Sequence, residues 1–368
     1  MLKVAFVIGT MGNGGAERVI AALANGWASK GAEVRIITIY GNRQDYPLAD
    51  SVEIYSVSCK AKLRLLRPVE RIKAIRKAVT DFKPDCVISF LTDVNIHTIL
   101  ACRGLSVPII ASERNDPTKS PGQAWMRKLR NNLYTKAQGL VFQTPDAASY
   151  FVPYLKANNK TTIIPNPLTA NLPVYEHDAA NTRLITACRL NAQKNLPMMI
   201  DAVAELKESG LLLSLDIFGE GPLRGSLQQH IEARNAADYI TLRGFSRDIH
   251  REMAQSACFV ISSDYEGISN SMLEALAIGV PVVATDCPVG GARMFIQNGE
   301  TGHLVPVRDK EAFKSAIVDV MENREKARAM GHNAMALRNT LDVAAITEQW
   351  TEFISAVLEK GGICSNGQ

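Results

Sequence analysis

The 368-residue sequence has no run of about 18 apolar residues, the length needed to cross a bilayer. No membrane-spanning helix is expected. Its seven cysteines, at positions 59, 86, 102, 188, 258, 287 and 364, form no Cys-x-x-Cys pair and share no metal-ligand spacing with histidine. An odd count without a framework argues against structural disulfides and for a reducing compartment. No Asp-x-Asp stands at a predicted strand end, so nothing there offers a carboxylate pair to a divalent ion. Aromatics make up 6% of the chain. None interleaves the longest basic run, which leaves no platform for stacking nucleic-acid bases. The chain opens directly on an apolar strand, Lys3 to Gly9, so a secretory signal peptide is not expected.

The length suggests about two domains, and 46% apolar residues suffice for two cores. Net charge is +4, unevenly spread. Residues 1–170 carry 23 Lys and Arg against 12 Asp and Glu, whereas residues 171–368 carry 18 against 25. One half therefore suits an anionic partner or surface.

Along the chain, short apolar strands alternate with amphipathic helices, the pattern of parallel α/β sheets. The first strand runs into Gly12-Asn13-Gly14-Gly15-Ala16-Glu17-Arg18 and then a helix, a geometry that lets backbone N–H groups approach a phosphate. A dinucleotide fingerprint fails twice: Glu17 replaces the third glycine, and the second strand ends in Tyr40-Gly41 rather than an acid. A tight turn with no ligand stays open.

Between Lys60 and Asp81 stand eight cations, including Arg64, Arg67 and Arg71, against two acids. Leu65, Val69, Ile72, Ile75 and Val79 give the same segment one apolar stripe. This is either a surface helix with a solvated basic side or a helix at an anionic membrane or a lipid diphosphate. Trp125 to Tyr134 is a second basic amphipathic segment, with Arg127, Lys128 and Arg130. Glu113, Arg114 and Asn115 follow a predicted strand, where open α/β sheets place ligands. Glu113 is a candidate catalytic carboxylate; Arg114 and Asn115 are candidate acceptor contacts. His97 reads as an ordinary helix residue or a catalytic one.

After a polar linker at 169–182 the pattern restarts. A strand over 183–188 ends in Arg189-Leu-Asn-Ala-Gln-Lys194, two cations able to converge on one polyanion. The turn Gly219-Glu-Gly221 follows another strand, and Gly244-Phe245 a third. Residues 288–293 form a further glycine loop before an expected helix. Helices are expected near 310–322, 325–338 and 344–360, and residues 361–368 have the composition of a frayed tail.

The densest stretch is Asp264 to Asp286. Glu266 and Glu274 stand eight residues apart across the polar turn Gly267-Ile268-Ser269-Asn270. An apolar helix follows and stops at Gly279-Val-Pro281. Ser271 and Glu274 also match a capping box, in which the acid merely satisfies the helix start. With Glu274 in the first turn, the helix start presents amides and a positive dipole end to an anion.

These residues together, Glu266-x7-Glu274 with Gly-x-Pro-Val-Val-Ala behind, Arg189-Leu-x-x-x-Lys194-Asn, and Gly14-Gly15-Ala16-Glu17-Arg18, resemble the signatures of glycosyltransferase family four. The resemblance covers the whole chain and is strongest from 183 to 305. It implies a GT-B fold: two Rossmann-like domains, 1–168 and 183–343, facing across a cleft, with the 344–360 helix crossing back to the first. It implies a retaining, metal-independent transferase with no cofactor. Glu266 would face the donor sugar, and Arg189 and Lys194 would bind the nucleotide diphosphate. Glu274 would hold the ribose, and the turn Gly267 to Asn270 the sugar and phosphate. Gly14, Gly15, Gly219, Gly244 and Phe245 would complete the donor site, with Glu17, Arg18, Arg114, Asn115, Arg64, Arg67 and Arg71 toward the acceptor.

The reading is a transferase moving a sugar, a hexose or N-acetylhexosamine from a UDP-sugar, to a saccharide acceptor on a polyprenyl diphosphate. The enzyme would lie at the cytoplasmic face of the membrane and bind no nucleic acid. A GDP-sugar enzyme with a soluble acceptor and a silent nucleotide-sugar binding protein stay open; a glycosidase pair is disfavoured, because Glu274 sits within a helix start and matches a ribose role in the resemblance.

Overall fold

The computed structural model describes residues 1–12, 14–57, 66–178 and 180–360. Arg64, the expected basic run before Leu66 and the 361–368 tail lie outside the described residues.

Two compact units divide the chain: residues 1–167 with 343 onward, and residues 168–342. The first holds a seven-stranded sheet: β1 (Lys3–Ile8), β2 (Glu33–Thr38), β3 (Val52–Ser56), β4 (Cys86–Phe90), β5 (Ile109–Ser112), β6 (Gly139–Phe142) and β7 (Lys160–Ile163). Their spatial order is β3-β2-β1-β4-β5-β6-β7, all parallel. Helices α1 (Gly15–Ser29), α2 (Arg67–Phe82), α3 (Thr92–Ala101), α4 (Ala124–Tyr134) and α5 (Pro145–Phe151) connect them. Strands β4, β5 and β6 are buried along their whole length, because helices cover both faces of a parallel sheet. That is why they read as unbroken apolar runs.

The second unit holds β8 (Arg183–Ala187), β9 (Ser214–Phe218), β10 (Ile240–Gly244), β11 (Cys258–Ile261), β12 (Val282–Thr285) and β13 (His303–Val305). Their order is β10-β9-β8-β11-β12-β13, again parallel. Its helices are α6 (Leu196–Glu208), α7 (Arg224–Ala233), α8 (Ile249–Ala254), α9 (Asn270–Ile278), α10 (Lys310–Glu322), α11 (Arg324–Ala334) and α12 (Leu337–Thr340).

At Val343 the chain returns to the first unit as α13 (Val343–Lys360). Trp350 is fully buried there and stacks on Phe90 with centroids 5.6 Å apart. Trp27 of α1 stacks on Phe6 and donates to Thr351 Oγ1 at 3.0 Å. The 169–182 segment is stitched to the second unit: Tyr175 N donates to Ile278 O and Glu176 N to Ala254 O, both at 2.9 Å.

The helix expected after Arg293 does not form. Residues 291–295 are turns, and Ile296, 3% exposed, anchors them to the interior. Among the described residues no helix is long and apolar enough to cross a membrane.

Candidate active site

In the second sheet the strand order reverses between β8 and β11. Loops leaving the carboxyl ends of two such strands diverge and open a crevice, the usual ligand position in open α/β sheets. Arg189 to Lys194 leaves β8, and Asp264 to Ser269 leaves β11.

Hydrogen bonds lock these loops together. Asp264 N donates to Gln193 O at 2.8 Å, and Gln193 Nε2 to Tyr265 O at 2.8 Å. Asn195 takes the left-handed conformation (φ 44°), which asparagine tolerates, and its amide donates to Asp264 Oδ1 at 3.0 Å. Ser262 Oγ donates to Lys194 O at 2.9 Å.

This frame sets Lys194, 9% exposed, directly on Glu266 Oε2. Burial works against the Lys194 charge, but the Glu266 carboxylate outweighs it and holds the ammonium above the usual lysine range. Ser263 Oγ donates to the same Glu266 oxygen at 3.2 Å. Glu266 Oε1 meets no hydrogen-bond donor among the described residues. Arg189 is exposed, and its guanidinium has no acceptor among them. The two loops thus carry an anchored ammonium, an exposed guanidinium and a carboxylate oxygen.

Helix α9 starts earlier than the capping-box reading requires. Ser269 is the N-cap, its Oγ accepting from Met272 N at 3.4 Å. Ser271 instead donates to Ala187 O of β8 at 2.7 Å, tying the helix start to the neighbouring strand. Glu274 is therefore the fifth helical residue, not a first-turn acid. It is 4% exposed; Thr169 donates to Oε1 at 2.9 Å and His250 Nε2 lies 3.1 Å from Oε2. Ile268 and Ser269 are each 7% exposed, so the turn presents backbone more than side chains.

Two glycines make close packing possible. A Cβ on Gly219 would fall 1.8 Å from Cys188 O, so the 219–221 turn braces the backbone that carries Arg189. Leu190 N donates to Glu220 O at 3.0 Å in the same brace, and Gly219 N donates to Gly244 O at 2.8 Å. Phe245 follows, 63% exposed. A Cβ on Gly291 would fall 1.7 Å from Gly267 O, so the 288–293 loop backs the Gly267 turn.

The first sheet reverses between β1 and β4. Gly14 caps α1 there, and the Glu17 carboxylate folds back over it: a Cβ on Gly14 would lie 2.1 Å from Glu17 Oε2. Burial pulls the Arg18 guanidinium below its usual range. At the same edge Tyr40 OH donates to the Asp93 carboxylate, and the Arg71 guanidinium lies 4.5 Å from the Tyr40 ring centre. Arg67 is the exposed first residue of α2. His97 is half-buried, with Nδ1 2.7 Å from Asp93 O.

Four residues of the first unit are held by groups of that same unit. Glu113 is 2% exposed and faces the interior. It accepts from Thr92 Oγ1 at 2.9 Å and Tyr134 OH at 2.8 Å, and Arg130 lies 4.0 Å away. Burial pushes its carboxyl above the usual range. With donors of its own unit at both oxygens, it is held as a buried carboxylate rather than standing open at the strand end. Arg130 is not on a basic face: it is 0% exposed and donates to Pro117 O at 2.9 Å and Ser120 O at 2.6 Å. Arg114 is held down, donating to Ser112 Oγ at 2.7 Å and Asn166 Oδ1 at 2.6 Å, 4.4 Å from the Phe90 ring centre. The Asn115 side chain turns onto its own backbone, accepting from Asp116 N at 2.9 Å.

Tyr40, Asp93, His250, Ser263 and Gly291 were not singled out for the site in the sequence. Only Gly291 carried a signal, as half of a glycine pair after a strand.

Comparison with known proteins bears on the family and the fold. The profile described as Glycosyltransferase Family 4 matches residues 13–171, and that described as Glycosyl transferases group 1 matches residues 171–336. Among curated relatives, the Campylobacter jejuni enzyme GalNAc-alpha-(1->4)-GalNAc-alpha-(1->3)-diNAcBac-PP-undecaprenol alpha-1,4-N-acetyl-D-galactosaminyltransferase is 25% identical over 97% of this chain and 99% of its own. A second C. jejuni enzyme, N-acetylgalactosamine-N,N'-diacetylbacillosaminyl-diphospho-undecaprenol 4-alpha-N-acetylgalactosaminyltransferase, is 25% identical over 96% of this chain and 100% of its own. Among solved structures, sucrose-phosphate synthase from Thermosynechococcus elongatus superposes with a TM-score of 0.85 at 16% identity, covering 98% of this chain and 100% of that one. Anabaena HepE in complex with UDP and glucose gives 0.81 at 19%, covering 97% and 100%. Two profiles that together run from residue 13 to residue 336, on two Rossmann-like units, place the chain in the glycosyltransferases of family 4, with the GT-B fold.

Proposed function

We propose that the enzyme takes its sugar from a UDP-sugar, with retention at the anomeric carbon and without a metal. Its acceptor is a saccharide carried on a polyprenyl diphosphate at the cytoplasmic face of the membrane. The observation that carries the donor half is the Lys194–Glu266 contact at the β8/β11 switch point, with Arg189 open on the same loop. As the glycosidic bond breaks, negative charge grows on the departing diphosphate. Lys194, Arg189 and the amino end of α9 meet it with charges already in place, so little reorganisation is needed. The acceptor oxygen bonds to the anomeric carbon on the face the diphosphate leaves, and the acceptor proton passes to a diphosphate oxygen. Glu266 Oε1 accepts from a donor-sugar hydroxyl, and Glu274 from the ribose.

The acceptor half is supported by the printed substrates of the two Campylobacter relatives, both carried on a diphosphate-linked undecaprenol. The cation excess of residues 1–170 agrees with it. UDP is favoured by the HepE complex on the same fold.

A thermal-shift panel of UDP- and GDP-sugars, followed by transfer of labelled sugar into a lipid extract, tests both halves. Stabilisation by UDP-sugars and label in the lipid phase is expected. Stabilisation by GDP-sugars alone, or label only in water-soluble product, contradicts the corresponding half. Donor binding without any transfer would mark a silent binding protein.

A further inference from the structure

Two left-handed residues meet on one carboxylate. Asn195 (φ 44°) donates its amide to Asp264 Oδ1 at 3.0 Å. Arg308 (φ 63°) grips the other oxygen, Oδ2, with Nη2 at 2.6 Å and Nε at 3.1 Å. Asn195 directly follows Lys194, and Asp264 stands two residues before Glu266. Asp264 therefore clasps the loops leaving β8 and β11 beside the point where their ion pair forms. Arg308 ties a third loop, the one leaving β13, to the same carboxylate. Strand β12 lies between β11 and β13, so the side chain crosses about 10 Å of sheet to reach it.

Local structure alone does not call for an arginine here. Strand β13 leads into α10 through Pro306-Val307-Arg308-Asp309, a turn closed by Asp309 N donating to Pro306 O at 3.3 Å. Val307 keeps a negative φ and Arg308 a positive one, the pair of signs found in a type II turn. The third position of that turn suits glycine or asparagine, because a larger side chain strains the left-handed backbone. Asp309 then caps α10, its Oδ1 accepting from Ala312 N at 2.9 Å. Stability gains little either: the Arg308 side chain is 74% exposed, and an ion pair so open to water contributes little to folding. A strained backbone thus carries an exposed charge, and what that charge holds is Asp264.

We propose that Arg308 is a positioning residue for the donor site: through Asp264 it keeps the β8 and β11 loops in register, so that Lys194 is seated on Glu266 before any ligand arrives. Without the guanidinium, the Asp264 carboxylate can rotate off Asn195, and the clasp loosens one residue from Lys194. The kinetic consequence rests on the donor reading above; the seating of Lys194 does not.

Arg308→Gly is the variant that tests this, since glycine takes a positive φ without strain and preserves the turn. The first measurement needs no ligand: limited reductive methylation of the full chain, read by peptide mass spectrometry. Lys194, 9% exposed in the wild type, should be labelled several-fold faster in the variant. Lys3, paired with Glu33 in the first unit, should be unchanged. The second is steady-state transfer with the nucleotide sugar that stabilises the wild type. Here kcat/KM should fall about tenfold, chiefly in kcat, because Lys194 meets charge that grows in the transition state. The melting temperature should stay level or rise, as the backbone strain is relieved. Arg308→Lys, which keeps the charge but not the fork, should recover part of the loss. In an Asp264→Ala background Arg308→Gly should add nothing, because the arginine acts only through that carboxylate. An arginine of merely structural value would lower the melting temperature in step with activity, and its effect would add to that of Asp264→Ala. Either result, or unchanged labelling of Lys194 in Arg308→Gly, overturns the proposal. Faster labelling with unaltered turnover keeps the positioning role and sinks the part given to Lys194 in the donor reading.

Discussion

Gly291 packs its α-carbon against the carbonyl of Gly267, and a methyl group there would lie 1.7 Å from that oxygen. The two residues belong to loops that leave adjacent strands, β12 and β11. No side chain can yield to relieve the clash, because the obstacle is backbone. Gly291→Ala must therefore displace the Gly267 turn and Glu266 beside it. A misplacement of about 1 Å in a positioning group can cost roughly a hundredfold in rate. We expect kcat/KM for the donor to fall by about ten- to a hundredfold, with the melting temperature changed far less. Unaltered kinetics would mean that the turn does not position the donor.

His250 and Glu274 make a second testable pair. The imidazole stands 3.1 Å from one carboxylate oxygen while Thr169 serves the other, so the acid is fixed in one orientation before any ligand arrives. His250→Ala frees the carboxylate to rotate and should raise the donor KM about tenfold, the cost of one hydrogen bond to a charged group. The kcat should change little, because a ribose contact is made equally in ground and transition states. His250→Gln, which keeps a donor, should recover part of the loss. A fall in kcat at constant KM would place His250 in the chemistry instead.

Glu113 is predicted to matter for stability rather than turnover. Glu113→Ala leaves Arg130, Thr92 and Tyr134 without their buried partner and should cost about 3–5 kcal/mol. The protein that remains folded should keep near-normal kcat. Burial raises the Glu113 carboxyl. Between the ordinary carboxylate value of 4.5 and that raised value, the folded chain binds more protons than the unfolded one. Its stability contribution is therefore present at acid pH and lost as pH rises through that window. Denaturation of wild type and Glu113→Gln from about pH 4.5 upward checks the sign: wild type should lose stability relative to the variant. Parallel curves would show that Glu113 does not titrate differently on folding.

What the sequence revealed followed burial. Strands β4, β5 and β6 were legible because a strand covered on both faces has no polar positions. Edge strand β3, Val52-Glu-Ile-Tyr-Ser56, mixes exposed and buried residues and passed unread. Helix α8 is six residues long, too short for a periodic stripe. That the loops of Arg189, Lys194 and Glu266 leave strand ends was legible because each is a short charged segment after an apolar strand. Glu113 lies in the same local setting but is covered. Whether a strand-end acid is open or covered depends on Thr92 and Tyr134, each 21 residues away, on helices packed by the tertiary fold. The capping register of α9 failed for a related reason: Ser271 could have capped, but the carbonyl of Ala187 on β8 claims its hydroxyl.

Arg189 and Lys194 are the groups proposed to carry the diphosphate. Steady-state turnover of Arg189→Ala and Lys194→Ala with the UDP-sugar that stabilises the wild type measures this directly. Losing one preorganised donor to developing negative charge costs about 3–4 kcal/mol, so each variant should turn over at least about a hundredfold more slowly while still folded. Near-normal turnover in both would contradict the assignment.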